Sequence, residues 1–183
     1  MKKELKTLIL IYLGFVLIKA VLSYFIPSSR ALADDYNYLK MSESFFYHFS
    51  LKVHGVFTGQ FYPLYPILIS IVHIFQDNNL VYLFIKIINL VLSSLIIFPA
   101  YYLSKEFLSK KKSLLSATLI SLLPSNFALS SYIMAENIFY VLFLTSIYFI
   151  YRVFKYKTKK DYIFCTIFVI LSLLTRIHGL ILI

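Results

Sequence analysis

Apolar residues run along this chain in long blocks rather than in short alternating ones. The first block covers about 5–26 and follows Lys2, Lys3 and Lys6. Three more cover about 80–103, 114–131 and 138–151, the last beginning near Met134, and a fifth runs from about 162 to the end of the sequence. A helix of roughly 20 apolar residues crosses a hydrocarbon core of about 30 Å. The pattern therefore predicts an all-α, polytopic transmembrane helical bundle with about five spans.

The segment between the first two spans reads differently. It is polar from about 28 to 60, and within it 35–53 predicts an amphipathic helix lying on the membrane surface. Leu39, Phe46, Phe49 and Val53 recur there at near-helical spacing, with Lys40, Glu43 and Lys52 elsewhere. Gly55 and Gly59 mark a turn after it. The apolar piece 65–75 is too short to span and reads as interfacial or re-entrant. Pro99 and Pro124 predict kinks in their spans. Ala31-Leu32-Ala33 resembles a signal-peptide cleavage site, although the apolar run before it is longer than a usual signal core. Asp34 falls on the outer side either way. The expected organisation is one transmembrane domain, 1–183, with a first extracytoplasmic loop at 27–79. The sequence stops at Gly-Leu-Ile-Leu-Ile inside an apolar run, which predicts an N-terminal piece of a longer protein.

Composition agrees with the membrane class. Hydrophobic residues make up 60% of the 183, and mean hydropathy is +0.81. The net charge of +10 raises a nucleic-acid reading, but the basic residues are clustered between apolar blocks. One cluster is Lys105, Lys110, Lys111 and Lys112; another is Arg152, Lys155, Lys157, Lys159 and Lys160. That is the positive-inside pattern, and no nucleic-acid partner is expected. If 65–75 does not cross, the N-terminus and both clusters share the cytoplasm; if it crosses, both clusters lie outside. The first arrangement obeys the rule. It gathers Asp34, Asp35, the Pro63–Pro66 turn, Glu136, Arg176 and His178 on the opposite, extracytoplasmic face. The single cysteine, Cys165, offers no disulfide and no metal-ligand spacing.

Candidate chemistry follows from that convergence. Adjacent Asp34 and Asp35 repel each other, which raises one pKa. Either could take a proton from a hydroxyl or help hold a divalent cation. Equally, one aspartate could cap the amphipathic helix with both simply solvated. Glu136 could serve the same site or only face a helix dipole. Arg176 stands near the outer end of an apolar helix, where a guanidinium either snorkels or grips a lipid-borne phosphate with paired hydrogen bonds. His178 could support that phosphate, ligate a metal or be structural. Lys19 and Lys86 interrupt apolar spans and are either phosphate contacts or snorkelling cations. Tyr62, Pro63, Tyr65 and Pro66 form an aromatic turn that lines an acceptor groove or anchors the interface. The sequence specifies no cofactor with certainty; a divalent cation on Asp34, Asp35 and Glu136 is the one candidate.

Several motifs occur in order: Ala-Asp-Asp-Tyr-Asn-Tyr-Leu, Phe-Tyr-Pro-Leu-Tyr-Pro-Ile-Leu, Lys-Ile-Ile-Asn-Leu-Val-Leu and Pro-Ala-Tyr-Tyr-Leu-Ser-Lys-Glu-Phe. Leu-Leu-Pro-Ser-Asn, Ala-Glu-Asn-Ile-Phe and Thr-Arg-Ile-His-Gly-Leu follow. Together they resemble the glycosyltransferase-C superfamily, in its dolichyl-phosphate-mannose protein mannosyltransferase and aminoarabinose-transferase branch. The resemblance implies a membrane enzyme of the prokaryotic plasma membrane that transfers a monosaccharide, with inversion, from a polyprenyl-phosphate-linked sugar. The acceptor would be a glycan, lipid or protein outside the cytoplasm, and membrane lipid would be a further partner. It also implies that Asp34 or Asp35 supplies the catalytic carboxylate; the residues themselves suggest Arg176, with His178 and Lys86, for the donor phosphate. The competing classes are a small transporter and a non-catalytic lipid-handling or assembly subunit.

Overall fold

The computed structural model describes residues 2–26, 33–57, 59 and 62–183. Ala31 and Leu32 of the cleavage-like signal lie outside them. Helix α1 (Lys2–Tyr24) is followed by α2 (Ala33–His48), a two-stranded hairpin β1 (Lys52–Val53) and β2 (Val56–Phe57), and α3 (Leu64–Ile69), which tightens into a 3-10 turn at Ser70–Ile74. Helices α4 (Asn78–Ser94), α5 (Ile97–Lys105), α6 (Lys110–Ser121), α7 (Pro124–Ala128), α8 (Glu136–Tyr156) and α9 (Lys159–Leu173) come next, then a 3-10 tail at Ile177–Leu182.

The all-α membrane architecture is as expected. Three helical stretches are long and apolar enough to cross a bilayer: Glu4–Tyr24, Asn78–Lys105 and Glu136–Tyr156. The pair Lys110–Ser121 and Pro124–Ser131, bent by 56°, is apolar enough when taken together to form a broken span or a re-entrant loop. Proline explains both irregularities. Pro124 has no N–H to continue α6 and opens α7 instead. Pro99 leaves the Leu95 carbonyl without its α-helical donor, and Leu95 and Ile96 form the turn between α4 and α5. The Phe98 amide satisfies that carbonyl at 3.1 Å.

Two expected elements are shorter than the apolar pattern suggested. The fifth block forms a 15-residue helix that stops at Leu173, so it does not run as one span to the end of the chain. Arg176 is extended, and the tail folds back until Gly179 lies against the backbone of Ser172 and Leu173. The amphipathic helix ends at His48 rather than near Val53. Phe49 turns left-handed with φ 49°, and Val53 enters the hairpin, whose two-residue turn has positive φ at His54 and Gly55. The inward stripe of α2 is Asp35, Tyr38, Met41 and Ser42, not the Leu39–Phe46 stripe read from hydropathy. The 65–75 piece is a short apolar helical stretch, Leu64–Ile74, below spanning length, as its length predicted.

Two apolar cores result. One joins Leu8, Phe15, Ile97, Ala100, Tyr101 and Ala117. The other joins Tyr38, Tyr65, Ile69, Val72, Val81, Ile85, Ile133 and Ala135, and so ties α2, α3, α4 and the approach to α8 together. Charge pairs mark the end of the bundle nearest the first core. Glu4 meets Lys105 at 2.7 Å and Lys110 at 2.6 Å, and Glu106 meets Lys155 at 2.9 Å. The N-terminus and both basic clusters therefore share one end, as the charge parity required.

Asn89 is the polar residue on which the second core is built. Fully buried, it accepts from the Tyr65 hydroxyl at 2.9 Å and donates from Nδ2 to the Tyr132 carbonyl at 2.7 Å. Replacing it strands two buried groups, each at a cost of roughly 1–3 kcal/mol. Asn89→Ala should lower the thermal unfolding midpoint of the detergent-solubilised chain by several degrees, and near-ultraviolet circular dichroism should show loosened tyrosine packing.

Candidate active site

The end opposite the charge clasps carries the acidic pair. Asp34 and Asp35 occupy the first turn of α2, where the helix dipole favours negative charge. One step along a helix turns a side chain by about 100°, so the two carboxylates face different surroundings. Asp34 is only half-buried, while Asp35 is 1% exposed and neither of its oxygens has a hydrogen-bond partner. Burial pushes the Asp35 carboxyl up to about 6 and the Asp34 charge adds to that, against the pull of the nearby Ile133 amide. Asp35 thus lies under the Ile133 segment and beside Tyr65.

Tyr38 links the pair to the cation. Its ring packs edge-on to Tyr65 with centroids 5.2 Å apart. Burial pushes its phenol up to about 12; the Arg176 guanidinium pulls it down and Asp34 pushes it up. Both charges are therefore within electrostatic reach of one tyrosine. Tyr65 is fully buried, and burial raises its phenol further still.

Arg176 is held by Glu136, which it contacts through Nη1. Glu136 opens α8, and its second carboxylate oxygen is buried without a partner. Two devices position this pair. Asn137 donates to the carbonyls of Leu129, Tyr132 and Met134 at 2.9–3.1 Å and so braces the turn before α8. On the other side, the Leu64 amide donates to the Leu174 carbonyl at 2.9 Å, fastening the start of α3 to the end of α9. Beside the ion pair lies a cavity of about 190 Å³, walled by Phe139, Phe143, His178 and Ile181.

Asp34 and Arg176 thus both act on the Tyr38 phenol, Asp35 acts on Tyr65, and Glu136 holds Arg176. His178 is exposed at the cavity rim, with its ring 6.3 Å from Phe139. Tyr62 is half-buried just before the Pro63 turn. Lys86 turns elsewhere: it reaches the end of α1 and the residues just after it, donating to the carbonyls of Ser23 at 3.4 Å and of Ile26. Lys19 bonds Ser93 Oγ at 2.8 Å, deep between α1 and α4. Among the described residues, no three His, Cys, Asp or Glu side chains gather closely enough to hold a metal ion. Asp34, Asp35 and Glu136 therefore do not form the cation site left open by the sequence, because Glu136 turns to Arg176 and Asp35 turns into the core.

An acidic pair at a helix start, a carboxylate-held arginine and an apolar recess thus share one face of a membrane bundle. The family pattern of dolichyl-phosphate-mannose-protein mannosyltransferases matches residues 62–183. The chain belongs to that family. This mannosyltransferase-family match includes Tyr65, Asn89, Glu136 and Arg176, and starts after the acidic pair. No curated protein and no solved structure matches the chain. Membership makes it, in general terms, a membrane glycosyltransferase that takes sugar from a lipid-linked donor.

Sequence reading missed Asn89, Asn137 and Tyr38 as residues that position these side chains. A signal existed for the first two, since a side-chain amide in an apolar run must be satisfied internally. Tyr38 gave none, because tyrosines abound here at 16.

Two consequences can be measured. Asp35 binds its proton more tightly when folded than its ordinary value of 3.8. Wild-type stability should therefore fall as pH rises from about 4 to about 6 and level off above. Asp35→Asn should lack that slope, giving a melting temperature equal to wild type at pH 4 and higher at pH 8. At Gly179, an added Cβ would lie 2.7 Å from the Leu173 amide nitrogen, a contact only backbone movement can relieve. Gly179→Ala should displace the tail and expose Arg176, read as faster backbone amide exchange over residues 174–182 with the rest of α9 unchanged.

Proposed function

We propose that this protein transfers a monosaccharide from a polyprenyl-phosphate carrier to a hydroxyl-bearing acceptor on the extracytoplasmic side of the membrane. The observation that carries this reading is that accessible Asp34 heads the helix whose Tyr38 packs on Tyr65, at the end of the bundle where Glu136 holds Arg176. Asp34 is the base. It is the accessible carboxylate of the pair, and a base must reach the proton it removes. The acceptor oxygen attacks sugar C1 from the face opposite the phosphate and its proton passes to Asp34. The C1–O bond to phosphate breaks, its electron pair leaves with the phosphate, and the anomeric centre inverts.

Arg176 meets the charge that develops on that phosphate. Guanidinium donors held in place before the reaction cost no reorganisation during it. Glu136 supplies the holding, and His178 at the recess rim approaches the same phosphate. Phe139, Phe143 and Ile181 give the first carbons of the lipid an apolar wall. Asp35 is a positioning residue: buried against the Ile133 segment, it fixes the rotation of α2 that turns Asp34 outward. Tyr62 and Tyr65 edge the acceptor side. The loop at 27–79 then lies outside the cytoplasm, and the N-terminus and basic clusters lie inside the plasma membrane, which obeys the positive-inside rule.

Transfer of label from a polyprenyl-phosphate [14C]mannose to membrane acceptors tests the assignment. Asp34→Asn should lower kcat by about 10²–10⁴-fold, the usual worth of a general base, with protein levels unchanged. Asp35→Asn should retain turnover while moving the acid limb of the pH profile. Arg176→Met should reduce kcat, and Arg176→Lys should restore part of it. Wild-type rates in Asp34→Asn would remove the base assignment.

A further inference from the structure

A second recess, of about 340 Å³, opens between the outer ends of α1 and α4 and shares no lining residue with the Glu136–Arg176 cavity. Its walls are Leu83 and Ile87, both exposed on the outside of the bundle, and its rim carries Tyr24 and Asn79. At its floor stands the Lys86 ammonium, 8% exposed, 4.9 Å from the centre of the Tyr82 ring.

That ammonium lacks a counter-charge. The chain has eight acidic side chains, all within the described residues. Glu4, Glu43, Glu106, Glu136 and Asp161 are paired with Lys105 and Lys110, Lys40, Lys155, Arg176 and Arg152 respectively. Asp77 caps α4 through the Asn79 amide, and Asp34 and Asp35 make no ion pair with Lys86. An ammonium has three donors; here two go to the Ser23 and Ile26 carbonyls. The Ser23 carbonyl lies in the last turn of α1 and carries part of the negative end of its dipole, which offsets part of the charge. Lys19, one turn deeper on α1, is likewise buried without a carboxylate. A cation within a membrane seam is costly unless it is compensated.

From these observations we infer that the α1–α4 recess binds the anionic headgroup of a bilayer phospholipid. The phosphate takes the third Lys86 donor and the rim contacts of Tyr24 and Asn79. The acyl chain lies along Leu83 and Ile87, on the surface where the recess opens to lipid. The occupant is a lipid of the surrounding leaflet rather than the sugar donor, because the recess holds no carboxylate that could activate an acceptor. The inference does not depend on the transferase reading.

Native mass spectrometry of the detergent-solubilised chain, titrated with phosphatidylglycerol or phosphatidylcholine, tests it. Phosphatidylglycerol should be retained about fivefold more strongly, the preference that a single lysine gives towards anionic lipid. Lys86→Met should abolish that preference, and Lys86→Arg should keep it. Ala20→Leu, which fills the recess wall and leaves the ammonium in place, should weaken phosphatidylglycerol retention without altering the fold. Asp34→Asn and Arg176→Met should leave lipid retention unchanged, so loss of sugar transfer in those variants bears only on the transferase reading. Equal retention of the two lipids by wild type, or an unchanged preference in Lys86→Met, would overturn the inference. Displacement of phosphatidylglycerol by polyprenyl phosphate would overturn the separation from the donor.

Discussion

A membrane protein cannot leave polar groups for water to satisfy, and in this one the Asn89 amide carries that constraint into the candidate site. Its two hydrogen bonds reach Tyr65 on α3 and the Tyr132 carbonyl ahead of α8. Two separate chain segments are thereby fixed relative to α4. Tyr65 in turn packs on Tyr38, which sets the rotation of α2 and hence the directions of Asp34 and Asp35. The Tyr132 link holds the segment that ends at Glu136, and Glu136 holds Arg176. The cluster of charges is thus a consequence of one satisfied amide inside an apolar core.

The two aspartates show how far burial separates identical side chains. They are neighbours in sequence, yet one is accessible and the other is enclosed with neither oxygen bonded. The enclosed carboxyl is the costly one, and burial makes it hold its proton more tightly than in water. Structural burial alone would favour a neutral residue at this position. The unpaired carboxyl is the kind of local inconsistency that accompanies a functional site.

Much of the architecture was legible because hydropathy over 20 residues reports crossing directly. The proline positions located both breaks, and charge clusters placed the N-terminus with Lys105, Lys110 and Lys155. What hydropathy could not give was the rotation of α2, whose buried stripe includes Asp35 and Ser42. A polar residue facing inward looks the same in sequence as one facing water. The end of the chain was misjudged for a related reason. Apolar residues from 177 onward extend the pattern of α9, but the extended Arg176 and the close packing of Gly179 reverse the direction. Asp34, Asp35, Glu136 and Arg176 were readable as a group once topology put them on one face. Lys86 had the same appearance, and only its contacts with α1 separate it from them.

The ion pairs are unevenly distributed between the two ends. At the basic end, Glu4, Glu106 and Asp161 join α1 to α5 and α6, α5 to α8, and α8 to α9. At the other end, among the described residues, the Glu136–Arg176 pair alone bridges separate elements. Cohesion is therefore ionic at one end of the bundle and carried at the other largely by side-chain amides and aromatic packing, so added salt, which screens exposed charge pairs, acts on the two ends unequally.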